Sequence, residues 1–123
     1  GWSVREPFGR WSESMHALIV FGLRADEIRD SVLRIKLLPF TSPGKLDVQH
    51  VQVSLNGKTV ATWQLSNQEM QEFSIDLPRG ALSEKNVISF EMPDVVSPKS
   101  IGAIANETRR LGINVEWIEI DAR

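Results

Sequence analysis

The sequence predicts an all-β domain, a two-sheet antiparallel β-sandwich of the jelly-roll kind with at most one short helix. Three observations carry that prediction. Short apolar runs alternate with polar residues at period two, an Asn-Gly pair sits between two such runs, and no long stretch keeps the 3.6-residue period of an amphipathic helix.

In chain order, Ala17 to Leu23 is apolar apart from Gly22 and reads as a strand buried on both faces. Ser31 to Leu38 sets Leu33, Ile35 and Leu37 on one face and Arg34 and Lys36 on the other, the pattern of a half-buried strand. Val51 to Leu55 and Lys58 to Leu65 flank Asn56-Gly57, a dipeptide suited to the positive φ angles of a type I′ turn, and so form a hairpin. Trp63 then falls in the core or on a sheet face. Phe73, Ile75 and Leu77 alternate with Ser74 and Asp76, and Pro78 and Gly80 end that strand. Asn86 to Met92 follows.

The last strand, Ile113 to Ile120, keeps Ile113, Val115 and Trp117 in phase while Ile118 and Ile120 fall out of it, which predicts a β-bulge near Trp117 or burial on both faces. Strands recurring every eight to twelve residues or so favour a sandwich or barrel over βαβ units. Trp2 to Met15, Pro39 to Gln49 and Pro93 to Gly112 remain irregular. Within the last, Ser100 to Arg110 allows a helical turn or two, with Ser100 as cap and Gly112 as stop.

A chain of 123 residues fits one domain, 1–123, and can bury most of its apolar surface unaided. It opens at Gly1 without an initiator Met and is expected to be a piece of a longer protein. With no cysteine there is no disulfide framework or thiolate metal site. A net charge of -2 with interspersed signs offers no footprint for nucleic acid or an anionic membrane. The longest apolar run is too short to span a bilayer, so no direct membrane insertion is expected.

Catalytic signatures are absent: there is no Gly-x-Ser-x-Gly, no Gly-x-x-x-x-Gly-Lys, no His-Glu-x-x-His and no Gly-x-Gly-x-x-Gly. His16 and His50 border different strands without ligand spacing. Asp26, Glu27 and Asp30 read as a solvated turn before they read as calcium ligands. Glu6 with Glu13, or Glu116 with Glu119, makes a poor glycosidase pair. The expectation is a non-enzymatic domain with no cofactor and no metal.

One loop is unusual. Residues 1–12 crowd Trp2, Trp11 and Phe8 with Glu6, Arg5 and Arg10. Aromatic faces stack on the C–H faces of sugars while carboxylates and guanidinium groups meet hydroxyls, so Trp2, Glu6, Arg10 and Trp11 are candidate glycan ligands. Equally, the tryptophans can plug the end of the sandwich while Glu6 pairs with an arginine. Asn106 and Arg109, in the polar loop before the last strand, join the candidates if first and last strands lie side by side. An Arg109–Glu6 pair would then serve as structural bolt or ligand clamp.

Gly-Trp-Ser-x-x-Glu-x-x-Gly-Arg-Trp at the start, Val-x-Val-x-Leu-Asn-Gly running on to Trp-x-Leu, then Ser-Pro and Arg-Arg-Leu-Gly-Ile near the end together span nearly the whole chain. This combination resembles a galactose-binding-like β-sandwich appended to bacterial envelope sugar-processing proteins, among them membrane glycosyltransferases and phosphoglycerol-transferase-like proteins. The motif positions are Trp2, Glu6, Gly9, Arg10, Trp11, Ser97, Pro98, Arg109, Leu111 and Gly112. The glycines, Pro98 and Leu111 make best sense as fold determinants. Family members tend to carry an aspartate before the arginines, where this chain has Asn106 and Glu107.

The resemblance implies a non-catalytic, carbohydrate-binding-like accessory module facing the periplasm or cell exterior. Its partners would be a glycan, or a parent catalytic or membrane domain. The competing reading is a structural module that docks onto such a domain without binding glycan.

Overall fold

The computed structural model describes residues 1–3 and 9–123. Among them the chain forms strands β1 (Arg10–Trp11), β2 (His16–Gly22), β3 (Ser31–Pro39), β4 (Gln49–Leu55), β5 (Lys58–Leu65), β6 (Gln71–Leu77), β7 (Lys85–Glu91) and β8 (Ile113–Ala122). They build two antiparallel four-stranded sheets, ordered β1-β8-β3-β6 and β2-β7-β4-β5. The chain changes sheet at every connection except the β4–β5 hairpin, so nearly every sheet hydrogen bond joins distant parts of the sequence. First and last strands do lie side by side, with Arg10 opposite Val115 and Trp11 opposite Asn114.

The core follows from strand alternation. Leu33, Ile35 and Leu37 project from β3, Val51, Val53 and Leu55 from β4, and Ile88 and Phe90 from β7, all 0 to 1% exposed. They interlock in one cluster between the sheets. Trp63 meets Phe73 across the gap at 5.2 Å between ring centroids, closing the side where β5 lies against β6. In the hairpin, Asn56 and Gly57 take φ of 50° and 85°, as the type I′ turn requires. The Asn56 side chain locks that turn to β7, the strand beside β4, its Oδ1 accepting from Val87 N and its Nδ2 donating to buried Asn86 Oδ1.

Two expectations change, and the bulge expected near Trp117 is present. β2 is buried on one face only: Ala17 is fully buried, but Leu18 and Val20 are 54% and 60% exposed. It is an edge strand whose outer face no further layer covers, and an unbroken apolar run carries no periodicity that would reveal this. Residues 100–110 form successive turns rather than a helix. There Ser97 Oγ accepts from Ser100 N, and Ala103 N donates to Pro98 O. Trp117 leaves the phase of Ile113 and Val115, because β8 bulges between its pairings with β3. Leu37 faces Val115, but Lys36 already faces Trp117, so Glu116 is the extra residue. Past the bulge Ile118 and Ile120 return to the core side, while Trp117 turns to the outer face with Lys36.

Candidate functional site

The bulge shapes the side of the sandwich. Among the described residues β1 covers only Asn114 and Val115 of β8, and β2 pairs on one side only, with β7. Between these two edges runs an open cleft of about 550 Å³, lined by Trp2, Gly9, Arg10, Leu18, Ile19 and Val115 to Ile118. Trp2 wedges into one wall. Its ring stands edge-on to Phe90 at 5.9 Å, and its Nε1–H donates to the Leu18 carbonyl on the outer edge of β2 at 2.9 Å. Arg10 shares the inward phase of Val115 but, at the sheet margin, lies exposed. Glu116 reaches back to Lys36 Nζ at 2.9 Å. Gly9 is required where it stands: its φ is 124°, and a Cβ there would overlap the Val115 carbonyl oxygen and Asn114 Oδ1.

This arrangement offers a part-exposed indole at Trp117, a second indole wall at Trp2, guanidinium donors at Arg10 and a carboxylate at Glu116, beside the apolar side chains of Ile19 and Ile118. A few polar groups converging on an apolar, aromatic surface is the composition of a ligand cleft.

Of the sequence-predicted residues, Trp2 and Arg10 line this cleft, and Glu6 lies outside the described residues. Trp11 points to the opposite face of β1 and packs edge-on against Phe40 at 6.4 Å. Asn106 sits in an exposed turn. Arg109 is engaged: its Nε and Nη2 fork onto Glu107 at 2.9 and 2.8 Å, and its Nη1 lies 3.6 Å from Glu13. The loop before β8 is thereby tied to the segment after β1. The hydrogen bond from Arg109 holds the Glu107 carboxyl below its usual 4.5, against a smaller opposing effect of burial.

Sequence reasoning missed Trp117 and Glu116 as cleft residues, although the phase slip in β8 was their signal. The acidic turn is internally satisfied, since Glu27 accepts from Arg24 N and Asp30 from Arg79 N. Among the described residues no group of three or more His, Asp or Glu side chains could hold a metal ion.

Comparison with known proteins places this geometry. No curated protein matches the chain. Among solved structures it resembles a family 35 carbohydrate-binding module from an environmental isolate, with a TM-score of 0.53 and 18% identity, covering 90% of this chain and 69% of that one. It also resembles the sugar-binding C-terminal domain of EclA, with a TM-score of 0.52 and 15% identity over 95% of this chain and 72% of that one. A third is the CBM36-1 domain of a multidomain xylanase from the hindgut metagenome of Trinervitermes trinervoides, with a TM-score of 0.59 and 8% identity, covering 100% of this chain and 86% of that one. At such identities these likenesses establish the β-sandwich fold.

The family described as cellulose synthase BcsB, first CBM domain, matches residues 14–103. That span holds β2 to β7, hence Leu18 and Ile19 of the cleft, while Arg10 and Trp117 lie beyond it on β1 and β8. With well over half its length matched, the chain belongs to the family of the first carbohydrate-binding module of cellulose synthase BcsB, and is a carbohydrate-binding accessory module built on a β-sandwich.

Proposed function

We propose that the lateral cleft binds a neutral β-linked glucan, with Trp117 as the stacking platform, Trp2 as the wall and Arg10 with Glu116 as hydroxyl partners. The observation that carries this reading is the β8 bulge, which takes Trp117 out of the core and leaves it part-exposed at the sheet margin, where Arg10 also lines the cleft. An indole left part-exposed on a rigid strand loses little entropy on stacking against a sugar ring. Glucan is the first choice of ligand because the family description names a cellulose synthase protein. Residues 1–123 would act as one non-catalytic domain of a longer cell-envelope protein, on its periplasmic or outer side, delivering or retaining glycan for a parent sugar-processing assembly. That parent may be sought among cellulose synthase subunits as well as among envelope glycosyltransferases and phosphoglycerol-transferase-like proteins. Trp11, Asn106 and Arg109 would support the cleft at a distance by fixing β1 and the loop before β8, and Glu6 keeps its candidacy as a ligand.

The test is intrinsic tryptophan fluorescence during titration with cello-oligosaccharides. A saturable change is expected, and Trp117→Ala should weaken binding by about 2 kcal/mol, roughly thirtyfold, because it removes a central aromatic contact. Trp117 faces outward, so the variant should keep its circular dichroism and thermal midpoint. Arg10→Ala should weaken binding less. Silence across cello-oligosaccharides and other envelope glycans would favour the docking reading, which has its own support in the exposed Leu18 and Val20 side by side on the outer face of β2.

A further inference from the structure

The outer face of the β2-β7-β4-β5 sheet carries a second arrangement, lined by residues other than those of the lateral cleft. His16 lies opposite Glu91, Glu91 opposite Gln52, and Gln52 opposite Thr62. All four alternate with core residues, so they point away from the core and form one transverse row over four strands. At a strand spacing of about 4.8 Å that row is roughly 14 Å long. The next row continues it with Ser89, Ser54 and Thr59, and Gln52 Nε2 donates to Thr59 Oγ1 at 3.0 Å, which fixes the amide and leaves its carbonyl oxygen as an acceptor.

The row itself lines a cleft of about 220 Å³, to which His50, Val51, Met15 and Pro93 also contribute. His50 is set in place there. Asp94 Oδ2 accepts from its backbone N at 2.6 Å and meets its Nδ1 at 2.7 Å. This double contact with one carboxylate fixes the orientation of the imidazole at the cleft. His16 Nδ1 stands 3.9 Å from Glu91 Oε1, beyond hydrogen-bonding range, so neither group is tied to the other in that way.

We infer that this strip is a second saccharide-contacting surface, independent of the lateral cleft and suited to a neutral, hydroxyl-rich sugar chain laid across the strands. The chemistry selects the class. The cleft lining includes no lysine or arginine, and Glu91 would repel an anionic sugar or a phosphate. The row offers acceptors at Glu91 and the Gln52 carbonyl and, at Thr62, a hydroxyl that both donates and accepts, a set that can meet sugar hydroxyls, while Met15 and Pro93 give the C–H face of a ring an apolar wall. The volume is below the roughly 300 Å³ of a full ligand pocket, so the cleft holds little more than one ring and the sugar chain continues onto the next row of Ser89, Ser54 and Thr59. The inference shares the carbohydrate-binding reading but places it on a different face.

The two faces can be read separately because the chain has two histidines, both at this cleft, and because Trp2 and Trp117 line the other. The full chain would be titrated with cellohexaose, and with mannan and xylan oligosaccharides, at fixed pH while imidazole and indole resonances are followed by NMR. Saturable imidazole shifts are expected. They should persist in Trp117→Ala and need about tenfold more sugar in Gln52→Ala or Thr62→Ala, surface changes that leave the core untouched. If the imidazole signals move and the indoles do not, the strip stands and the lateral cleft falls. If only the indoles move, the strip is overturned and the lateral cleft stands. Silence of both with every sugar overturns both.

Discussion

Arg109 was singled out by its charge next to Arg110, and its geometry makes it a bolt. It forks onto Glu107 and reaches Glu13, so the loop before β8 and the segment after β1 are pinned together. The bolt has a pH signature. A carboxyl whose folded value lies below 4.5 favours the folded state above pH 4.5, and that contribution is lost as pH falls through the lower folded value. Wild type should therefore exceed Glu107→Gln in urea midpoint at pH 7, and the difference should shrink progressively as pH falls below 4.5.

At this scale the sequence was partly readable. Trp2 and Arg10 stood out by composition and do share a cleft, yet nothing in residues 1–12 distinguishes the face of Arg10 from that of Trp11. The two-residue pairing of β1 with β8 decides it, and that pairing joins residues about a hundred positions apart. Likewise His16 and His50, unrelated by spacing, come to line one cleft through the β2-β7-β4 order.

Among the elements, those whose signal is local were legible. β3 alternates over its whole length, and its inward Leu33, Ile35 and Leu37 are fully buried. The hairpin is written in Asn56-Gly57, and the structure shows why asparagine serves there better than alanine. It tolerates a φ of 50° while its side chain bonds Val87 N and Asn86. Asn56→Ala should lower unfolding free energy by about 2 kcal/mol, from strained φ together with lost hydrogen bonds. Asn56→Gly, which restores the φ but not the bonds, should lose about half that, as chemical denaturation would report. β2 was misread because seven apolar residues look alike whether one face is covered or two, and only its position at a sheet edge settles the matter. Over 100–110 the expected cap, Ser100, donates its hydroxyl to the Ser97 carbonyl, and so closes a turn where a helix was expected.

For the whole molecule, a sandwich whose sheets exchange the chain at nearly every connection leaves two sides to be closed. On one, Trp63 against Phe73 fills the gap between β5 and β6. On the other, among the described residues, β8 runs beyond β1 and the gap stays open as the cleft. Fold class was accessible from strand spacing. Which side stays open was not, since it depends on how far two edge strands overlap.

That open side has a further consequence. A strand lacking a neighbour invites another chain to add to it, and repeated addition leads to fibres. The surplus Glu116 breaks the regular ladder of β8 just where β1 stops, and places a charge there, paired with Lys36. Deleting Glu116 would leave Ile113, Val115, Ile118 and Ile120 on one face and Trp117 on the other, so the fold should survive with a straight margin. Such a variant should self-associate at concentrations where wild type sediments as a monomer and should shorten the lag of thioflavin-T growth. Unchanged sedimentation would mean that the bulge serves ligand presentation alone and has no part in keeping copies of the protein apart.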